Sequence, residues 1–354
     1  MNGLYIHVPF CERKCGYCSF YSVAGREHEI DSWLDALELE AASPFCGEVL
    51  NTLYIGGGTP TILNISQWKK LFEIINRNFN LENLIEATVE ANPNSLDDEK
   101  LKILADNKIS RISLGVQSLN DDELKILGRL HDSYKALKAM EAVKKFNLML
   151  NCDLIFAIPS QTLKTWSKSL KGVLNFADHV STYQLTLEPE TPLGKKYKNS
   201  DLNEDGYKFY RYAQYYLPKK NFIQYEISNF APEGNECRHN LLYWNHDNVI
   251  GLGASAVSYI DGVRIKNPDN LEKYLTHDYV REFENLSGHE KSIELAILQL
   301  RTKYGIKINE TLPEIIEKLN SMPEDLFIKT PERISLSKRG MRLGNSIWCE
   351  LIDL

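Results

Sequence analysis

Leu4-Tyr-Ile-His-Val-Pro-Phe-Cys11-Glu-Arg-Lys-Cys15-Gly-Tyr-Cys18 decides how this chain is read. Its first half is apolar, β-branched and aromatic, which predicts a strand over Leu4 to Phe10. The polar residues that follow predict a loop at the C-terminal end of that strand, and the loop carries three thiols within eight residues. Soft thiolates suit zinc or an iron–sulfur cluster. A structural zinc ion would want a fourth ligand, with His7 or His28 nearest in sequence. An ordinary 4Fe-4S cluster in electron transfer takes four cysteines. Three would leave one iron open to a ligand from a small molecule.

Working outward, short β-rich runs alternate with amphipathic segments as far as Leu187, the rhythm of repeated βα units around a parallel sheet. The further predicted strands are Leu50 to Ile55, Ile85 to Ala91, Arg111 to Val116, Met149 to Ile158 and Val180 to Leu187. Asn120 with Glu123, and Ser95 with Asp98, have the spacing of helix-starting capping boxes. The alternation ends near Glu188-Pro189-Glu190-Thr191-Pro192. The expected architecture is therefore α/β: a partial (β/α)6 barrel over residues 1–190, with function where its strands end. Residues 191–286 read as an extension of that barrel, with a tyrosine-rich helix over Tyr207 to Leu217 and the segment Gly251-Leu-Gly253-Ala-Ser-Ala. Packing is the leading account of the tyrosines, contact with a flat tetrapyrrole the alternative. Residues 287–354 read as a small, mostly helical, winged-helix-like C-terminal domain. It contains a helix from Glu290 to Lys303, a strand and turn from Ile334 to Gly340, and a last helix.

A hydrophobic share of 43% with 25% charged residues permits a sizeable core. The net charge of -7 argues against nucleic acid and anionic lipid as partners, whatever the C-terminal domain resembles. The N-terminus lacks the pattern of a secretion signal, and no apolar run reaches the roughly 18 residues that span a bilayer, so the expected location is the cytoplasm. Seven cysteines, an odd number, favour thiolate chemistry over a disulfide framework. Cys46, Cys152 and Cys349 stand alone and read as buried or incidental thiols.

A second block, Tyr54-Ile-Gly56-Gly57-Gly58-Thr59-Pro60, follows the second strand. It is either a tight βα turn or a place where a ligand meets backbone, and it does not match the dinucleotide pattern G-x-G-x-x-G. Single polar residues then fall at strand ends: Glu90, Gln117 and Asp153, with Arg129 shortly after Gln117. Each alone could be a satisfied rim residue. Around one opening they suit an amino-acid nucleoside, because carboxylates hold ribose hydroxyls or an ammonium and arginine holds a carboxylate.

The segment Leu4 to Cys11 with its C-x-x-x-C-x-x-C spacing closely resembles the radical S-adenosylmethionine (SAM) family of oxygen-independent coproporphyrinogen III oxidases and their heme-chaperone relatives, over nearly the whole chain. The resemblance implies a 4Fe-4S cluster on Cys11, Cys15 and Cys18. It implies SAM on the open iron, cleaved to methionine and a 5′-deoxyadenosyl radical. It also implies SAM contacts at Tyr5, Tyr17, Gly57, Gly58, Thr59, Glu90, Gln117, Arg129 and Asp153.

Two functions share such a scaffold: decarboxylation of porphyrinogen propionates, and binding of heme for delivery to acceptor hemoproteins. The oxidases carry a fourth cysteine two residues after the third, where this chain has Phe20, and an extension before the first strand, which here begins at Leu4. The chaperone branch carries H-N-x-x-Y-W, present as His239-Asn-Leu-Leu-Tyr243-Trp244. Relatives have histidine where this chain has Val257. The expectation is a heme chaperone, with the oxidase as alternative and His239 as candidate heme ligand. Cys237 competes for that role, and a purely structural histidine is the other account. Expected partners are heme, an electron donor and acceptor hemoproteins, some of them at the membrane. A homodimer is compatible with all of this.

Overall fold

All six predicted runs are strands in a computed structural model that describes residues 1–42, 46–198 and 206–354. They are β1 (Asn2–Val8), β2 (Thr52–Gly57), β3 (Glu86–Ala91), β4 (Arg111–Gln117), β5 (Met149–Phe156) and β6 (His179–Gln184). They lie side by side in chain order, each parallel to the next. Parallel neighbours require crossovers. Helices Ile30–Ala41, Ile65–Asn78, Asp98–Asp106, Ser133–Lys145 and Leu163–Val173 supply them. Their apolar faces place Trp33, Trp68, Leu104, Met140 and Trp166 in the main core.

A seventh parallel strand, β7 (Asn248–Leu252), pairs with β1 on its free side, so the parallel set is larger than the six units expected. It arises from the segment read only as glycine-rich. A Cβ on Gly251 would lie 2.4 Å from the carbonyl oxygen of Val257, and one on Gly253, whose φ is +101°, would lie 2.4 Å from that of His7. The glycines therefore let neighbouring backbones close on this strand. The sheet then continues antiparallel past both edges. Val257–Ile260, Val263–Lys266 and Glu282–Asn285 extend it beyond β7, and Asn229–Ala231 and Ile223–Gln224 beyond β6.

Asn120 caps helix Asp121–Leu127 by accepting from the backbone N–H of Asp122 (3.0 Å) and Glu123 (3.1 Å), as expected. Ser95 does not cap the helix after it. Asp97, in extended conformation, accepts from the backbone N–H of Lys100 at 2.8 Å and starts Asp98–Asp106, while the Ser95 hydroxyl pairs with that of Thr61. The tyrosine-rich helix spans Gly206–Tyr216; Tyr210 stacks on Phe156 and Tyr212 bonds the Ser167 hydroxyl, so packing accounts for this face.

Beyond it, helix Gly288–Leu300 begins with a Ser287–Glu290 capping box. With Pro313–Ser321, Gly344–Ile352 and a three-stranded antiparallel sheet it forms a second apolar cluster that includes Leu300, Ile315, Ile334 and Leu351. Lys303 ties this cluster to the barrel, its backbone N–H donating to the Tyr225 carbonyl (2.8 Å) and its Nζ to Glu236 (2.9 Å). Among the described residues no helix is long and apolar enough to cross a membrane.

Candidate functional site

Alternate residues of a strand face one side of a sheet. Register aligns Tyr5, Tyr54, Thr88 and Arg111 in one inward layer, Glu90, Ser113, Asn151 and His179 in the next, and Asp153 with Ser181 above them. Barrel interiors are ordinarily filled by branched apolar side chains. Here the lumen is polar and holds a cavity of about 510 Å³, within the range of small-molecule sites. Cys11, Cys15, Cys18 and Tyr17 line its mouth with Gly57, Gly58 and Thr59. Glu90, Gln117, Arg129 and Asp153 line the same cavity.

The thiol loop is held from below. Gly16 donates its N–H to the Leu127 carbonyl (3.1 Å) and accepts from the N–H of Leu193 (2.8 Å), while Arg13 donates to the Gly128 carbonyl (2.9 Å). The glycine turn packs against it: the N–H groups of Gly58 and Thr59 donate to the carbonyls of Val8 and Phe10, each at 2.8 Å, and the Thr59 hydroxyl reaches the Cys11 sulfur at 3.5 Å. A Cβ on Gly58 would stand 2.5 Å from the Phe10 carbonyl oxygen and 3.0 Å from that sulfur. Gly57 has φ +111° with the His7 ring under it. These glycines thus let the turn close on the loop and leave bare backbone at the cavity.

Arg129 donates to the Cys15 sulfur (3.3 Å) and the Gly115 carbonyl (2.9 Å), and its buried Nε has no partner. A Cβ on Gly115 would meet Gln117 Nε2 at 2.9 Å and Arg129 Nη2 at 3.3 Å. Gly115 is thus a site residue the sequence reading missed; a lone glycine inside a strand run was its signal. The pairing of β4 with β5 slips between Leu114 and Gln117, and Gln117 has φ +63°, a bulge that re-aims its side chain into the cavity.

Glu90 accepts from the Tyr54 hydroxyl (2.8 Å) and the Gly57 N–H (3.0 Å). Burial nonetheless pushes its carboxyl up to about 7, against those two hydrogen bonds, with the Asp153 charge adding to the rise. Asp153 accepts from Ser113 (3.0 Å) and Asn151 (2.9 Å) and is also raised, chiefly by burial.

The donor set fits the groups expected of it. Three cysteines, none in a disulfide, share one cavity wall, and burial raises the thiols of Cys11 and Cys18. Among the described residues no group of three histidine, cysteine or acidic side chains, the three thiols included, is gathered closely enough to hold a metal ion as it stands. An arginine with an unpaired Nε and two carboxyls stand in the same cavity to receive an amino acid's charged ends.

Residues 5–171 match the family model described as the Radical SAM superfamily. The heme chaperone HemW of Lactococcus lactis is 35% identical to this chain, covering 98% of it and 96% of that protein. The heme chaperone HemW of Bacillus subtilis is 33% identical, with 98% of each covered. This chain belongs to the HemW family of radical SAM proteins. Membership in the superfamily implies a 4Fe-4S cluster and SAM. Among solved structures, the coproporphyrinogen III oxidase HemN from Escherichia coli superposes with a TM-score of 0.85 over 99% of this chain and 89% of that one, at 22% identity, a likeness of fold.

The H-N-x-x-Y-W segment found in this HemW-family chain forms helix Arg238–Trp244, and its histidine does not face the cavity. His239 is 1% exposed. Its Nδ1 pairs with the Thr52 hydroxyl (2.8 Å), its Nε2 with the Tyr243 hydroxyl (3.2 Å), and its ring stacks on Tyr54. Burial lowers its pKa to about 3. An axial ligand needs a free, reachable ring nitrogen, and His239 offers none in this arrangement. Asn240 of the same segment and Cys237, just before the helix, line the cavity instead. Tyr5 also lies outside the lining; its hydroxyl pairs with His7 Nδ1 at 2.9 Å.

Proposed function

We propose that this protein is a heme chaperone with a 4Fe-4S cluster on Cys11, Cys15 and Cys18 and with SAM along Tyr17, Gly57, Gly58, Thr59, Glu90, Gln117, Arg129 and Asp153. The carrying observation is the meeting of three thiols, a bare glycine turn, two carboxyls and an arginine in one lumen. When bound, the cluster supplies an electron and an open iron, and SAM a source of the 5′-deoxyadenosyl radical. This chain's own residues do the holding. Arg129 donates to the Cys15 sulfur with an Nε to spare, Thr59 donates to the Cys11 sulfur, and Glu90 and Asp153 offer acceptors for an ammonium or ribose hydroxyls.

The heme part of the reading is supported by the names of the relatives and by Phe20, which stands where oxidases carry a fourth cysteine and is 71% exposed at the cavity mouth. His239 is left out of the heme site because both its ring nitrogens are engaged. Delivery to acceptor hemoproteins, an electron donor, a cytoplasmic location and a division at 1–190, 191–286 and 287–354 belong to the same proposal, the last boundary supported by the separate apolar cluster after Gly288. The test is anaerobic cluster reconstitution followed by parallel assays. The proposal expects a heme Soret band and transfer to an apo-hemoprotein. SAM-dependent conversion of coproporphyrinogen, or no heme binding, overturns it.

A further inference from the structure

The lumen continues beneath the residues assigned to SAM. Thr88 and Arg111 are register partners on β3 and β4 at its floor, and both line the cavity with Cys237 and Asn240. Thr88 lies two residues before Glu90 on β3, about 7 Å at strand rise, so the floor adjoins the carboxyl assigned to SAM and lies one layer below it.

Arg111 is 3% exposed. Its Nη2 donates to the carbonyls of Asn235 (2.9 Å) and Glu236 (3.3 Å) and stands 3.3 Å from Glu86. Its Nε and Nη1 have no partner, and neither does the buried Thr88 hydroxyl. Glu86 does not satisfy them. That carboxylate already accepts from the backbone N–H groups of Arg238 (2.9 Å) and His239 (3.1 Å) and from the Cys237 thiol (3.3 Å). Folded chains seldom bury three hydrogen-bonding atoms unmet side by side, because each loses its hydration without return.

We propose that the barrel floor is a binding site for a small carboxylate, whose oxygens accept from Arg111 and from the Thr88 hydroxyl. Guanidinium only donates, and its hydrogen bonds to an anion are charge-assisted, so the ligand is an acceptor with negative charge. A single charge fits better than a phosphate dianion, since Glu86 already faces the same guanidinium and, among the described residues, the floor offers no second cation to pair with another negative charge. The site goes beyond the heme reading: a flat macrocycle is far wider than a site walled by adjacent strands.

The test titrates sodium propionate into cluster-loaded full-length protein by calorimetry, with excess SAM present so that Arg129 is engaged. SAM binding is measured beforehand, so failure of the SAM assignment is seen separately. Saturable binding with a Kd of order 1 mM is expected. Thr88→Val keeps shape and removes one donor, and should weaken it about five-fold; Arg111→Lys should weaken it about ten-fold or more. Thr88→Val leaves the Arg111–Glu86 pair intact, so it decides the question if the lysine variant does not fold. No saturable binding by the wild type, or wild-type affinity in a folded Thr88→Val protein, overturns the proposal.

Discussion

Glu90→Gln should change the sign of its effect on stability with pH. Glu90 has its carboxyl raised from 4.5 to about 7 by burial. A folded-state value above the unfolded one means the native protein holds the proton more tightly. The carboxyl therefore costs nothing below the unfolded value, destabilises the fold progressively as pH rises from 4.5 towards 7, and keeps a constant cost above that. At about 1.4 kcal/mol per pH unit the ceiling is about 3 kcal/mol. Glu90 opens on the cavity, where water screens part of the penalty, so about 2 kcal/mol is a fair working value.

The glutamine has no charge to bury. It also cannot accept as well from both the Tyr54 hydroxyl and the Gly57 N–H, which costs about 1 kcal/mol at every pH. The variant should thus be less stable than wild type by about 1 kcal/mol near pH 4 and more stable by a similar amount near pH 8. Guanidinium unfolding midpoints of cluster-free protein across that range measure this. A difference between the two proteins that stays constant with pH would refute the assignment of a raised carboxyl to Glu90.

Gly58→Ala should give soluble protein that assembles less cluster, because its Cβ would press on the Phe10 carbonyl oxygen at 2.5 Å and on the Cys11 sulfur; iron and sulfide per chain measure it. Glu86→Ala should destabilise the protein by about 3–5 kcal/mol, since it strands the buried Arg111 charge; the denaturation midpoint is the readout. His239→Ala should leave the heme Soret band and affinity as in wild type while lowering the unfolding midpoint, because the ring bonds Thr52 and Tyr243 and packs on Tyr54. A shifted Soret band in that variant would restore the histidine as a ligand.

The strands and the mouth of the site were legible because their signals are local. Each parallel strand is a short apolar run with a turn signal after it, and single polar residues stand at the strand ends: Glu90, Gln117 and Asp153. What was missed depends on partners distant in the chain. β7 is a five-residue strand whose pairing with β1 joins Leu4 to Ile250, and nothing near Gly251 announces that partner. The cap at Asp97 lay two residues from the residue read as the cap, and only backbone conformation distinguishes them.

His239 shows the same limit at the scale of one helical turn. Residues along a helix are rotated by 100° from one to the next, so Asn240 can face the lumen while His239 and Tyr243, four apart, share the face against Thr52 and Tyr54. A motif names the residues and not the face. The polar lumen has a further consequence. With little apolar packing inside the strands, stability must come from the helical layer outside them, where Trp33, Trp68 and Trp166 are fully buried. The lumen residues are thereby free to serve ligands while the outer layer carries the fold, at a cost where a charge is buried, as at Glu90 and in the Arg111–Glu86 pair.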